Sequence, residues 1–250
     1  MIKFFRHIRR TLINENNMSK YFKYAIGEIL LVVIGILIAL QINNWNENRK
    51  ANLEETKLLM DFKKGLEYDI KQMDSIKMHY ERAVWSIDTI LIHLENELSY
   101  TDHLDSLFFN STLLFDSGGM TVAPYETLKS RGLNLISDKV LLDQIVNLYD
   151  EFNPWFLTWE SRYTNFLFEA QGSIYKSRFK DFWGGDHKDQ KVIGAMTPYA
   201  YDELVNDDEF KHHLRTQRNL IGWLIYKPSE RSQIEARKLL SLIDEKLNDQ

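Results

Sequence analysis

The stretch from Ala25 to Ile42, AIGEILLVVIGILIALQI, constrains this chain more than any other, because among its 18 residues only Glu28 and Gln41 are strongly polar. As a helix rising about 1.5 Å per residue it covers roughly 27 Å, close to the hydrocarbon thickness of a bilayer. The competing reading is a cleaved signal peptide, whose apolar core usually runs about 7 to 15 residues and ends in a small-residue site. LIALQINNW offers no such pair. The sequence therefore predicts an uncleaved transmembrane helix over 24–44, preceded by a basic arm, 1–23, and followed by a helical domain, 45–250.

The flanks predict the orientation. Lys3, Arg6, Arg9, Arg10, Lys20 and Lys23 precede the span against Glu15 alone, whereas Arg49 and Lys50 follow it. Cytoplasmic flanks carry such an excess of positive charge, so the N-terminal arm is expected in the cytoplasm and the remainder outside. Tyr21, Tyr24 and Trp45 fall where aromatic side chains favour the interface. In MIKFFRHIRRTLI, Phe4, Phe5, Ile8, Leu12 and Ile13 recur at helical spacing among basic residues, the pattern of a short helix lying in the headgroup layer.

Of the 31 basic and 36 acidic residues, 8 and 3 lie in the first 50, which leaves residues 51–250 with a formal charge of −10. That charge repels phosphate backbones, so nucleic acid is a poor partner. The absence of cysteine removes disulfides, thiolate nucleophiles and Cys-ligated metal sites.

MIKFFR, the span with its flank GEILLVVIGILIALQINNWNE, and the later YETLKSRGLNLISDKVLLDQIVNLY together resemble a family of uncharacterised bacterial single-span membrane proteins, a domain of unknown function of Gram-negative bacteria of the Bacteroides and Flavobacterium group. The resemblance covers most of the chain, is most specific at its N-terminal end, and leaves 182–207 without counterpart. It implies an inner-membrane protein with a periplasmic domain and brings no catalytic residues with it.

Beyond the span, Leu59, Phe62, Leu66, Ile70, Met73, Ile76, Tyr80, Val84, Ile87, Leu91, Leu94 and Leu98 recur at steps of three and four, interrupted only by Gly65. This predicts a long amphipathic helix, serving either as a coiled coil between chains or as the spine of an intrachain bundle. Because further amphipathic segments follow, the bundle is the expectation. DSGGMTVAP reads as a break. Pro124 suits the first turn of a helix that stops at Gly132, Ser137 is expected to cap the next with Asp138 in its first turn, and Asn153 and Pro154 end or kink it. Trp155, Trp159, Tyr163 and Phe166 form a helical stripe read as core, with a ligand pocket as the other option. Asp207 caps a helix through Tyr226, and Pro228 starts or kinks the last segment, with Ala236, Leu239, Leu240, Ile243 and Leu247 on its apolar face. The expected class is all-α.

Motifs for catalysis are missing: there is no G-x-S-x-G, H-E-x-x-H, phosphate loop or G-x-G-x-x-G. Ser117 before Gly118 and Gly119 lacks the strand–turn–helix setting of a nucleophile. Asp208 with His212 and Glu209 with His213 have metal-ligand spacing on one helix, but the same spacing makes ordinary helical pairs and no third ligand is identifiable. His79, His93, His103 and His187 are scattered. Arg131, Arg178, Arg215 and Arg218 bind an anion only if the fold gathers them.

Within the span, Gly27, Leu31, Gly35, Ala39 and Asn43 recur every four residues. Gly35 and Ala39 form a small-x-x-x-small pair that permits close helix approach, and Glu28 borders it. The expectation is a helix–helix contact in the membrane through Glu28, Gly35 and Ala39, with snorkelling of Glu28 toward Lys20 or Lys23 as the alternative. Neither an enzyme nor a cofactor is expected. The function expected is a membrane-anchored periplasmic helical interaction module whose partners are the lipid bilayer and another envelope membrane protein or a second copy. The alternative is a periplasmic ligand-sensing domain that signals through a separate membrane partner.

Overall fold

The computed structural model describes residues 18–114, 117, 119–186, 188–189 and 191–248. The expected headgroup helix with Phe4, Phe5, Ile8, Leu12 and Ile13, the basic residues Lys3, Arg6, Arg9 and Arg10, and Gly118 and His187 lie outside the described residues, as do the side chains of Lys20, Tyr21 and Tyr24. The chain divides into two units, Met1–Thr56 and Lys57–Gln250.

Helix α1, Met18–Glu95, begins in the first unit and ends in the second. No proline interrupts its sequence, so the segment between the apolar run and Leu59 is helical too. In the first unit the apolar run has a mean hydropathy of 2.6 over 18 residues, and none of it is buried. It is long and apolar enough to cross a membrane.

In the second unit the stripe of α1 is buried within its own chain. Leu59, Phe62, Leu66, Ile70, Met73, Ile76, Tyr80, Ile87, Leu91 and Leu94 are all buried, whereas Leu98 lies past the helix end and is exposed. Burying each such large apolar side chain contributes about 1.5–3 kcal/mol before chain entropy is counted. Two further helical stretches cover the stripe. One comprises α4 (Lys139–Val146), a wide π turn (Asn147–Phe152), α5 (Asn153–Ala170) and a second π turn (Gln171–Tyr175). The other comprises α7 (Asp208–Leu220), a π turn (Ile221–Tyr226) and α8 (Lys227–Asn248).

Cross-contacts fix the directions. Phe62 meets Tyr149 and Tyr80 meets Tyr163, so α4–α5 runs parallel to α1. Lys63 pairs with Asp244 at 2.6 Å and Arg218 with Asp88 at 2.6 Å, so α7–α8 runs antiparallel. A parallel pair needs a return connection. Residues 96–138 supply it through α2 (His103–Ser111), whose Leu104, Leu107 and Phe108 enter the core around Ile76–Leu94, and α3 (Ala123–Arg131), whose Tyr125 and Leu128 enter the core around Leu58–Met73.

Local details differ from the expectations in instructive ways. The cap of α4 is Asp138, whose carboxylate accepts from Leu141 N, one residue beyond the expected Ser137. Asp207 caps α7 as expected, accepting from Phe210 N. Pro154 and Pro228 do not break their helices. Each follows a wide turn that lies where the proline ring crowds the carbonyl four residues back, and a π turn relieves that crowding without ending the helix. A two-residue antiparallel ladder, β1 (Gly185–Asp186) with β2 (Lys191–Val192), closes a surface hairpin, and α6 (Tyr201–Val205) leads into α7. The class is all-α.

Candidate functional site

On α1, steps of seven and four residues bring Glu28, Gly35 and Ala39 to one helical face. A side chain added at Gly27 or Gly35 would meet nothing within 4 Å, and Ala39 is exposed. Ile36, Leu37 and Ile38 beside it are 55–62% exposed. Gly35 and Ala39 are open to whatever surrounds the helix.

The second unit is organised around a clasp absent from the sequence reading. Asp69 of α1, 3% exposed, accepts from Thr121 N at 2.9 Å through one carboxylate oxygen and from Thr121 Oγ1 at 2.7 Å through the other. Glu160 of α5 repeats the arrangement on Ser117, whose N and Oγ donate at 3.2 and 2.7 Å. Between them Asn153 Oδ1 accepts from Met120 N at 2.9 Å, and Ser117 Oγ accepts from Gly119 N at 3.1 Å. Side chains of α1 and α5 thus accept from the backbone N–H groups of Ser117, Met120 and Thr121, which no regular structure satisfies.

Two glycines permit the approach. A Cβ on Gly65 would meet Thr121 at 3.2 Å, and Gly119, at φ +71, would meet Asn153 at 2.9 Å. Burial raises the Asp69 pKa above the usual carboxylate value, only partly offset by the Thr121 hydrogen bonds. Nearby, burial pushes the Tyr125 and Tyr149 phenols up, and Tyr125 donates to Asp150. Ser117 is therefore a tether, with its hydroxyl committed to Glu160.

The His and Arg candidates do not converge. His213 is buried and stacked on Phe166 at 5.1 Å, and desolvation, with Arg178 and His212 adding to it, lowers its pKa to about 4. Glu209 turns away to Arg178 at 2.6 Å, Asp208 lies 3.9 Å from Lys211, and His212 contacts Thr216 at 3.4 Å. Among the described residues no group of three His, Asp or Glu is placed to hold a metal ion.

Each of three arginines is answered by an acid. Arg178 pairs with Asp207 at 2.6 Å, Arg215 pairs with Glu95, and Arg218 pairs with Asp88, while Arg131 is exposed elsewhere. The Arg178 hydrogen bond holds the Asp207 carboxyl below its usual range. His79 and His103 are exposed, and His93 keeps its Nδ1 buried without a hydrogen-bond partner.

The aromatic stripe divides. Tyr163 enters the core beside Phe156 and Leu167, where Gln217 donates to its hydroxyl and to Ser111 O. Trp155 and Trp159 are only half-buried and face outward: Arg231 lies over Phe152 and Trp155 at 5.0 and 5.6 Å, and Arg162 over Trp159 at 4.5 Å.

The sequence profile of a family of unknown function (DUF6090) matches residues 28–153, half of the chain. The chain belongs to this family. The DUF6090 span opens at Glu28, takes in Gly35, Ala39, Asp69 and Thr121, and closes on Asn153, so it contains the apolar helix and much of the clasp. Glu160 and the α7–α8 stretch lie beyond it. No curated protein and no solved structure matches the chain.

Proposed function

We propose that this chain is a single-span protein of a Gram-negative inner membrane, with its N-terminal arm in the cytoplasm and its helical unit in the periplasm, acting as an interaction module for another envelope membrane protein or for a second copy. The observation that carries this reading is the apolar run of α1, which has the length of a bilayer crossing and has no buried residue, while the second unit has a complete core of its own. The basic residues before the run support the orientation. Exposed Trp85 and Ile92 on α1 and Trp223 on the adjoining helical stretch, the last 71% exposed, support a protein-facing surface.

The membrane helix is assigned a share of the contact through Gly35 and Ala39, with Glu28 bonding across it. The test is photo-crosslinking in native membranes from position 39 and from position 223. Discrete protein adducts at both positions, weakened at position 39 by Gly35→Ile, are expected. Adducts to lipid alone at position 39 and none at position 223 would contradict the module.

A further inference from the structure

A groove on the second unit, about 510 Å³ in volume, runs beside Glu160 on α5. Its wall is aromatic: Phe168 meets Trp183 edge-on at 6.2 Å, and Phe182 stacks behind Trp183 at 5.3 Å. Leu114 and Leu157 add apolar surface. Of the described lining residues Glu160 alone is ionisable, and the nearby Arg162 is turned onto Trp159.

The Trp183 backbone, in the bend before β1, has φ +54, a region that a bulky residue rarely adopts and that is enriched at ligand clamps and active sites. Its indole nitrogen donates to Thr112 Oγ1 at 3.0 Å, which fixes the ring at the groove. Trp183 is 37% and Phe168 49% exposed, so both rings keep surface open at the groove.

We propose that this groove binds a small organic cation with an apolar body, a quaternary or protonated amine. Aromatic faces attract such a cation through the ring quadrupole, and a buried carboxylate acts more strongly on it than one in water. An anion meets the same carboxylate as a repulsion. The site does not depend on the membrane partner proposed above.

The full-length chain in dodecyl maltoside micelles, which carry neither charge nor amine, with empty micelles as background, is titrated with benzyltrimethylammonium and with benzenesulfonate by calorimetry. The ammonium is expected to bind saturably, with the sulfonate weaker by at least about tenfold. Phe168→Leu and Trp183→Leu, which alter exposed rings, should each weaken the ammonium by about fivefold or more, and Glu160→Gln by about tenfold. Equal binding of the two ions, or wild-type affinity in both Leu variants, overturns the proposal. If Glu160→Gln does not fold because Ser117 is released, the charge selectivity of the wild type and the two Leu variants decide.

Discussion

Asp69 and Thr121, 52 residues apart, are joined by two hydrogen bonds, with one carboxylate oxygen on the backbone N–H and the other on the hydroxyl of the same residue. The pair welds the return connection to α1. Asp69→Ala would leave the two half-buried donors of Thr121 without their acceptors and open a void where Asp69 was buried, and the expected loss of unfolding free energy is about 1–3 kcal/mol. Asp69→Asn keeps one acceptor and should cost less. Urea unfolding of both variants checks the order, and a cost for Asp69→Ala below that of Asp69→Asn contradicts the clasp.

The glycines divide into two kinds. Gly119→Ala adds a Cβ at positive φ against Asn153 and Leu157, and is expected to cost about 1–3 kcal/mol. Gly172→Ala meets nothing within 4 Å inside a helical stretch and should stabilise by about 0.5–1 kcal/mol. Opposite shifts in melting temperature are the check.

The part of the fold written in local periodicity was legible. The stripe from Leu59 to Leu94 announced a buried helix face, and Asp207 announced a cap, because each signal lies within a turn or two of its consequence. The clasp was not legible, since Asp69 looks like any helical surface acid until Thr121 is brought to it across the chain. Its one local trace is Gly65, a glycine at a place in a long helix where nothing local calls for one, explained by the close approach of Thr121 one turn before Asp69. Pro154 and Pro228 stand at the start of new α-helical segments, as their positions suggested, but the wide turns that carry the chain into them were not legible, because no residue pattern signals such a turn in advance. The four-residue spacing of Asp208 with His212 and of Glu209 with His213 likewise could not reveal that Arg178 claims Glu209 and Phe166 claims His213.

His213 sets a pH dependence. Its folded pKa, about 4, lies below the ordinary 6.5, so the unfolded chain takes up the proton first as pH falls. The stabilisation is present above 6.5 and is lost toward pH 4, by on the order of 3 kcal/mol. Asp69 works the other way: with its pKa raised above 3.8, it contributes more at low pH and loses that contribution as pH climbs through the folded value. Unfolding titrations of wild type and His213→Leu between pH 7 and 4 should converge as pH falls, and parallel curves contradict the buried neutral imidazole.

In the membrane, Gly35→Ile should weaken helix association in a two-hybrid assay more than Glu28→Gln does, because interhelical polar contacts there contribute only about 0.6–2 kcal/mol. If both variants associate like the unaltered helix, the Gly35–Ala39 face is lipid-facing and Glu28 makes no contact with a partner helix.

The placement of the apolar run across a bilayer, with the helical unit outside, is tested most directly by thiol labelling. The chain contains no cysteine, so Ser19→Cys and Ser99→Cys report on each side without background. In sealed spheroplasts an impermeant maleimide is expected to label position 99, on the exposed turn after α1, and to reach position 19 only after the membrane is opened. Labelling of position 19 in intact spheroplasts, or equal labelling of both, would contradict the account.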